Sequence, residues 1–155
     1  MKNIKGQEAL LSMYVGGAYK PIVCLTETST NRVSEIIQKV NYCTKGVPVS
    51  KVDSVSTTVN ISGEIMKLGE EEVDKATYKD LITAIESKVE QTFKYETIDS
   101  TTPEYFKAVI ANLDGTFGEG DATFSGSLTV NGGMLSEDPN AEPEPDPEPD
   151  PDPEP

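Results

Sequence analysis

At 155 residues, 35% of them apolar, the chain is sized for one domain with a packed core. It contains no histidine, which removes Ser-His-Asp and Cys-His catalysis together with the commonest nitrogen ligand for metals. Nine of the 27 acids fall in residues 137–155, where there is no base, leaving 18 acids against 13 bases in residues 1–136; neither part offers the basic stripe that holding a phosphate backbone requires.

In chain order, MKNIKGQEALLSMYVGG begins with two lysines, but Gln7, Glu8 and the shortness of ALLSMYV argue against a secretory segment. No run approaches the roughly 20 apolar residues that span a bilayer. AYKPIVCLT, residues 18–26, reads as a strand with Cys24 as a small apolar wall residue rather than a reactive centre. With Cys43 as the second cysteine, one disulfide is the most the chain can form, and an intracellular chain keeps both reduced.

RVSEIIQKV spaces Val33, Ile36, Ile37 and Val40 as a helix would, whereas its β-branched content favours strand; both readings of residues 32–40 stay open. NYCTKGVPVS then carries Gly46 and Pro48 and reads as a long loop. From 51 to 65, KVDSVSTTVNISGEI alternates Val55, Thr57, Val59, Ile61 and Ile65 against a wet face of Ser54, Ser56, Thr58, Asn60, Ser62 and Glu64. LGEEEVDK is a solvated charged run.

TYKDLITAIESKVEQ places Tyr78, Leu81, Ile82, Ile85 and Val89 at helical spacing, with Thr77 as N-cap and Asp80 as its partner. QTFKYETI, residues 91–98, alternates as a strand, and EYFKAVIANL, residues 104–113, is apolar on both faces, as a doubly covered strand would be. DGTFGEGDA, residues 114–122, matches no phosphate-loop spacing and reads as a glycine turn between strands. GDATFSGSLTVN follows, with Ala122, Phe124, Gly126, Leu128 and Val130 on a dry face and Asp121, Thr123, Ser125, Ser127, Thr129 and Asn131 on a wet one.

The expected fold is therefore mainly β, a sandwich or partly closed barrel over residues 1–136 with one flanking helix. Residues 137–155, holding eight of the 11 prolines alternating with acids, read as a disordered, extended acidic tail. There is no catalytic constellation, no metal site and no cofactor motif, so the expectation is a non-enzyme.

The succession of KG, LL and GGAYKPI-x-C-x-T, then CTKG, then a long Ser/Thr-rich strand ending NISGEI, a single helix, and F-x-GSLTV-x-GG resembles the major tail tube protein of long-tailed bacteriophages over residues 4–134. Type VI secretion and other injection tubes share that design. The resemblance implies a β-sandwich subunit, homo-hexameric rings stacked into a hollow homo-polymer, and a bore through which DNA passes without specific binding. It implies tape measure and tail terminator proteins as partners, and residence in the virion tail after assembly in the host cytoplasm. It also assigns the loop bearing Lys45, Gly46, Val47, Pro48 and Val49 to contacts between rings. A wet, acid-bearing bore suits the faces carrying Asn60, Ser62, Glu64, Asp121, Thr123 and Ser125, although the sequence leaves open which sheet faces inward. The alternative is a secreted or surface-displayed binding module with the Pro/acid segment as spacer, which requires an export signal and a fixed binding face.

Overall fold

The computed structural model describes residues 9–40, 43, 45–67, 69, 73–97 and 102–141. Seven strands and one helix follow in the order β1 (Ala9–Val15), β2 (Ala18–Pro21), β3 (Leu25–Lys39), β4 (Val49–Glu64), α1 (Tyr78–Ser87), β5 (Gln91–Thr97), β6 (Glu104–Thr116) and β7 (Thr123–Leu135). All strands join one antiparallel sheet, ordered β2-β1-β5-β6-β7-β4-β3. The mainly β fold with a single helix is thus as read from the sequence, and the barrel is open rather than closed.

The sheet curls because its two edge strands are consecutive in sequence. Pro21 ends β2 at one edge and Leu25 starts β3 at the other; the three residues between them reach at most about 14 Å. AYKPIVCLT is therefore two strands and a corner, not one strand. Ile22 donates its N–H to Leu11 O and Val23 donates to Ala76 O, while Cys24 takes a left-handed conformation at φ 57° that lets its carbonyl accept from Glu64 N–H at 2.9 Å. Gly63 lies under this corner: a Cβ there would collide with Cys24 O and come within 2.9 Å of the Phe124 ring.

The core fills the concave side. β7 buries Phe124, Gly126, Leu128 and Val130, the dry face expected of it, and β4 contributes Thr57, Val59, Ile61 and Gly63. Phe93 of β5 stacks on its cross-strand neighbour Phe106 of β6 with centroids 5.4 Å apart, both rings fully buried. β1, with Leu11 and Met13 buried, is a strand that sequence reading did not pick out. Its signal was the Gly16-Gly17 pair, whose φ values of 62° and 88° make the tight turn into β2.

The helix crosses this concave side against β6. Thr77 accepts from Asp80 N–H and Asp80 accepts from Thr77 N–H at 2.7 Å, the reciprocal cap anticipated from the sequence. Leu81 and Ala84 are buried beneath it, and Tyr78 meets Phe124 at 5.5 Å between centroids. Lys88 ends the helix in the left-handed region, so Val89 leaves the apolar face and is exposed.

One further expectation is corrected and one open reading is resolved. β6 is covered on one face only: Phe106 and Ala108 are buried while Val109 and Ala111 are exposed, because α1 packs on just one side of it. Residues 32–39 are strand, the distal half of β3, paired with β4 through one register shift between Glu35 and Ile36. The helical spacing of Val33 and Ile36 reflects no buried stripe, since both are exposed.

Candidate assembly surfaces

Two surfaces stand out, on the convex side of the sheet and on a projection from it. On the convex side β3, β4, β7 and β6 lie edge to edge and their outward residues are nearly all polar. Asn60 pairs with Ser127, Ser62 with Ser125 and Glu64 with Thr123 across β4 and β7. Ser29 and Glu27 of β3 flank Asn60 and Ser62, and Asn112 and Asp114 of β6 flank Ser127 and Ser125. Most of these side chains, though not those of Glu64, Thr123 and Asp114, line a shallow open depression.

Hydrogen bonds stitch it laterally. Ser127 Oγ donates to Asn112 Oδ1, Asn112 Nδ2 donates to Asp114 Oδ2 at 3.4 Å, and Thr26 Oγ1 donates to Ser62 O at 3.2 Å. Around Asn60 and Ser62 the acids are Glu27, Glu64 and Asp114, while Lys107 of β6, opposite Asn131, is an exposed base further along the same outward side. The patch around Asn60 repels phosphate at short range.

Of the residues the sequence suggested for a bore, Asn60, Ser62, Glu64, Thr123 and Ser125 come together here. Asp121 does not; it lies in the β6–β7 turn, before β7 begins. Ser127 follows from the same alternation. Asn112 and Asp114 do not, because the register of β6 shifts between Ile110 and Asn112. That bulge reverses which parity faces out, so no fixed period along 104–116 finds them.

The projection is the far half of the β3–β4 hairpin. β4 pairs with β7 only from Thr57 to Glu64, so Val49–Ser56, with Val33–Lys39 of β3, continues as a two-stranded arm roughly 25 Å long. Val33, Ile36, Val49, Val52 and Val55 are each more than half exposed along it, on both of its faces. Val55, expected on a dry face, is among them, because among the described residues no strand or helix covers β4 beyond Thr57. Lys45, Gly46, Val47, Pro48 and Val49 form the tip, where Lys45 and Gly46 turn the chain with φ of 50° and 77°. β4 begins at Val49, so the connection is shorter than the loop read from the sequence.

The cysteines take separate places. Cys24, expected on a strand, is half-buried in the β2–β3 corner with its thiol donating to Met66 Sδ at 2.9 Å, and Cys43 is exposed near the arm tip.

Beyond β7 the chain folds back onto β2. Tyr19 Oη donates to Asp138 Oδ1 at 2.5 Å and accepts from Asn140 Nδ2 at 3.2 Å. Burial, reinforced by the Asp138 bond, raises the Tyr19 phenol above its ordinary range. Nearby, the Lys94 ammonium is raised chiefly by its 2.7 Å contact with Glu96. Asp138 and Asn140 are the first residues of the segment read as an acidic tail; residues 142–155 lie outside the described residues. Among the described residues, no group of three or more His, Cys, Asp or Glu could hold a metal ion, and no helix is long and apolar enough to cross a membrane.

No family model and no curated protein matches the sequence. Solved structures do. A chain in the tail of an empty gene transfer agent particle, refined with helical and C6 symmetry, superposes with a TM-score of 0.67 at 13% identity, over 86% of this chain and 98% of its own. The tail tube of SPP1 gives 0.66 at 15% identity, covering 86% of this chain and 78% of that one. This is the tail tube fold. A chain of the anti-feeding prophage baseplate shares it at a TM-score of 0.59 and 9% identity, over 88% and 97% of the two chains. At these identities the likeness lies in backbone path, and what the surfaces do must be argued from this chain's own residues.

Proposed function

We propose that this chain is the structural subunit of a tail tube, in which hexameric rings stack into a hollow homo-polymer within a virion tail. The observation that carries the proposal is the arm. A two-stranded hairpin is at best marginally stable in water, and this one exposes five valine and isoleucine side chains, each more than half, on both of its faces. Such an element is built to be covered by other subunits. The tail tube fold, found in a neighbour refined with C6 symmetry, supplies the geometry: lateral contacts that close a ring and axial contacts that propagate. A subunit of this kind contributes surfaces rather than a reaction.

In the tube, the convex face of β3, β4, β6 and β7 lines the bore. Its hydroxyls keep a water layer, and Glu27, Glu64 and Asp114 repel DNA phosphates close to the wall, within the roughly 8 Å over which charges act at physiological salt. DNA therefore slides without binding. The arm tip, with Val47 and Val49, reaches the adjacent ring. The acidic Pro-rich segment, rooted at Tyr19 on β2, leaves from the strand at the opposite end of the sheet order from β3 and runs on the outside. Tape measure and tail terminator proteins are the further partners of such a tube.

Negative-stain microscopy and light scattering of the purified full chain test the proposal. Rings or hollow rods are expected; a uniform monomer at high concentration, with and without salt, overturns it.

A further inference from the structure

The sequence DGTFGEGDA was read only as a turn, and the fold leaves it without a structural task beyond joining β6 to β7. Phe117 at its start is 70% exposed, and it is the one fully exposed aromatic ring among the described residues. The turn itself, residues 117–122, carries Glu119 and Asp121 and no base. Asp114 near the end of β6 and Glu64, paired with Thr123 at the foot of β7, add two carboxylates beside it.

The arm tip is its chemical complement. Residues 39–51 carry Lys39, Lys45 and Lys51 and no acid, in a chain whose net charge is −14. Val47 and Val49 between these lysines are exposed. The register then places the two features at opposite ends of one long strand. Lys39 pairs with Val49 at one end of β4, and Thr123 pairs with Glu64 at the other. At about 3.3 Å per residue the ends lie roughly 50 Å apart, so the two cannot meet within one subunit. In a head-to-tail polymer of identical subunits, opposite ends are the surfaces that come together.

We propose that the β6–β7 turn is the receptor for the arm tip of a second copy of this chain, with Phe117 covering Val47 and Val49 and the turn's carboxylates facing the arm's lysines. This rests on the tube reading above and names the far side of its axial joint. It also gives the joint a direction: an acidic end accepts a basic tip, and neither end pairs with itself, so tip-to-tip and turn-to-turn contacts are repelled.

Charge exchange tests it. K45E/K51E and E119K/D121K should each raise the critical concentration for rods roughly tenfold at low salt, and the chain carrying all four changes should return close to wild type, because the pairs are restored in reverse. F117S should lose rods while the circular dichroism of the subunit is unchanged, the ring being exposed. As a measure independent of variant folding, carbodiimide treatment of rods assembled from mixed isotope-labelled and unlabelled wild-type protein should join lysines of the arm to carboxylates of the turn between subunits. Cross-links from the arm lysines to other carboxylates, unrescued charge reversals, or F117S rods at the wild-type concentration overturn the receptor assignment while leaving the tube reading intact. Absence of any wild-type polymer sinks the tube reading itself.

Discussion

Replacing Val47 and Val49 together with aspartate should separate folding from polymerisation. The two side chains are 63% and 51% exposed in the subunit. Full burial of a valine contributes roughly 1.5–3 kcal/mol, so covering the exposed half to two thirds of each in a joint is worth about 1–1.5 kcal/mol. Leaving an aspartate there without a partner adds a desolvation cost of about 1–3 kcal/mol. The loss per arm is then about 4 kcal/mol or more, close to a thousandfold in the association constant at 1.4 kcal/mol per factor of ten. In the proposed tube every arm of a ring would engage at once, so the losses would combine across the joint. The subunit itself should hardly notice, because exposed positions away from caps and core shift stability by only about 0.5 kcal/mol. Sedimentation and negative stain should therefore show rods lost, while thermal unfolding of the subunit stays in place. Rods of the double variant at the wild-type concentration would refute the assignment of the arm tip to a joint. A large fall in subunit stability would instead show that the tip is packed within its own chain.

Phe106→Ala should destabilise the subunit by about 3–5 kcal/mol, since the ring is fully buried and stacked on Phe93; a urea midpoint close to wild type would contradict that packing. Thr77→Ala should cost about 1 kcal/mol through loss of the helix cap, read as a small drop in melting temperature with assembly retained. Cys24→Ser should still assemble, and a thiol reagent should label exposed Cys43 well before half-buried Cys24; rapid reaction at Cys24 would place the corner differently. In an alkaline titration Tyr19 should ionise at a higher pH than a free phenol. Burial and then the bond to Asp138 hold its folded value above the ordinary 10.0, so the stability carried by the neutral phenol is fully present below that pH and is lost as pH rises through the raised value; Tyr19→Phe should abolish this late step. Deleting residues 142–155 should leave rods intact, because an acidic proline segment has no apolar surface to give a joint.

The parts of the fold most legible in the sequence were those whose local signal and tertiary partner agree. In 123–130, period two survives into the structure because β7 is flanked along that stretch by β4 and β6, so one face is continuously buried. The helix was legible because Thr77 and Asp80 close its cap without outside help. Other parts depended on long-range partners that no local pattern records. β1 was missed because seven residues pairing with both β2 and β5 make a strand only in company. Cys24 looked like part of a strand because a corner between two sheet edges is defined by where those edges lie, not by the residues that turn it.

The same reasoning accounts for the candidate surfaces. From Ser54 to Ile65 a face of Val55, Thr57, Val59, Ile61 and Ile65 alternates with a polar one, and the register shift at Asp53 moves Val52 off that period; the consequence of the alternation changes between Ser56 and Thr57, where β7 stops accompanying β4. Below that point Val59 and Ile61 are buried and Asn60 and Ser62 face outward; above it Val52 and Val55 are bare. A surface that was only solvated would have no reason to keep β-branched apolar residues beyond the end of its own core. Their persistence over a further eight residues of β4, on a hairpin too thin to bury them itself, is what the proposed sharing of the strand between subunits would use: one half of the strand covered inside the molecule and the other half by the next.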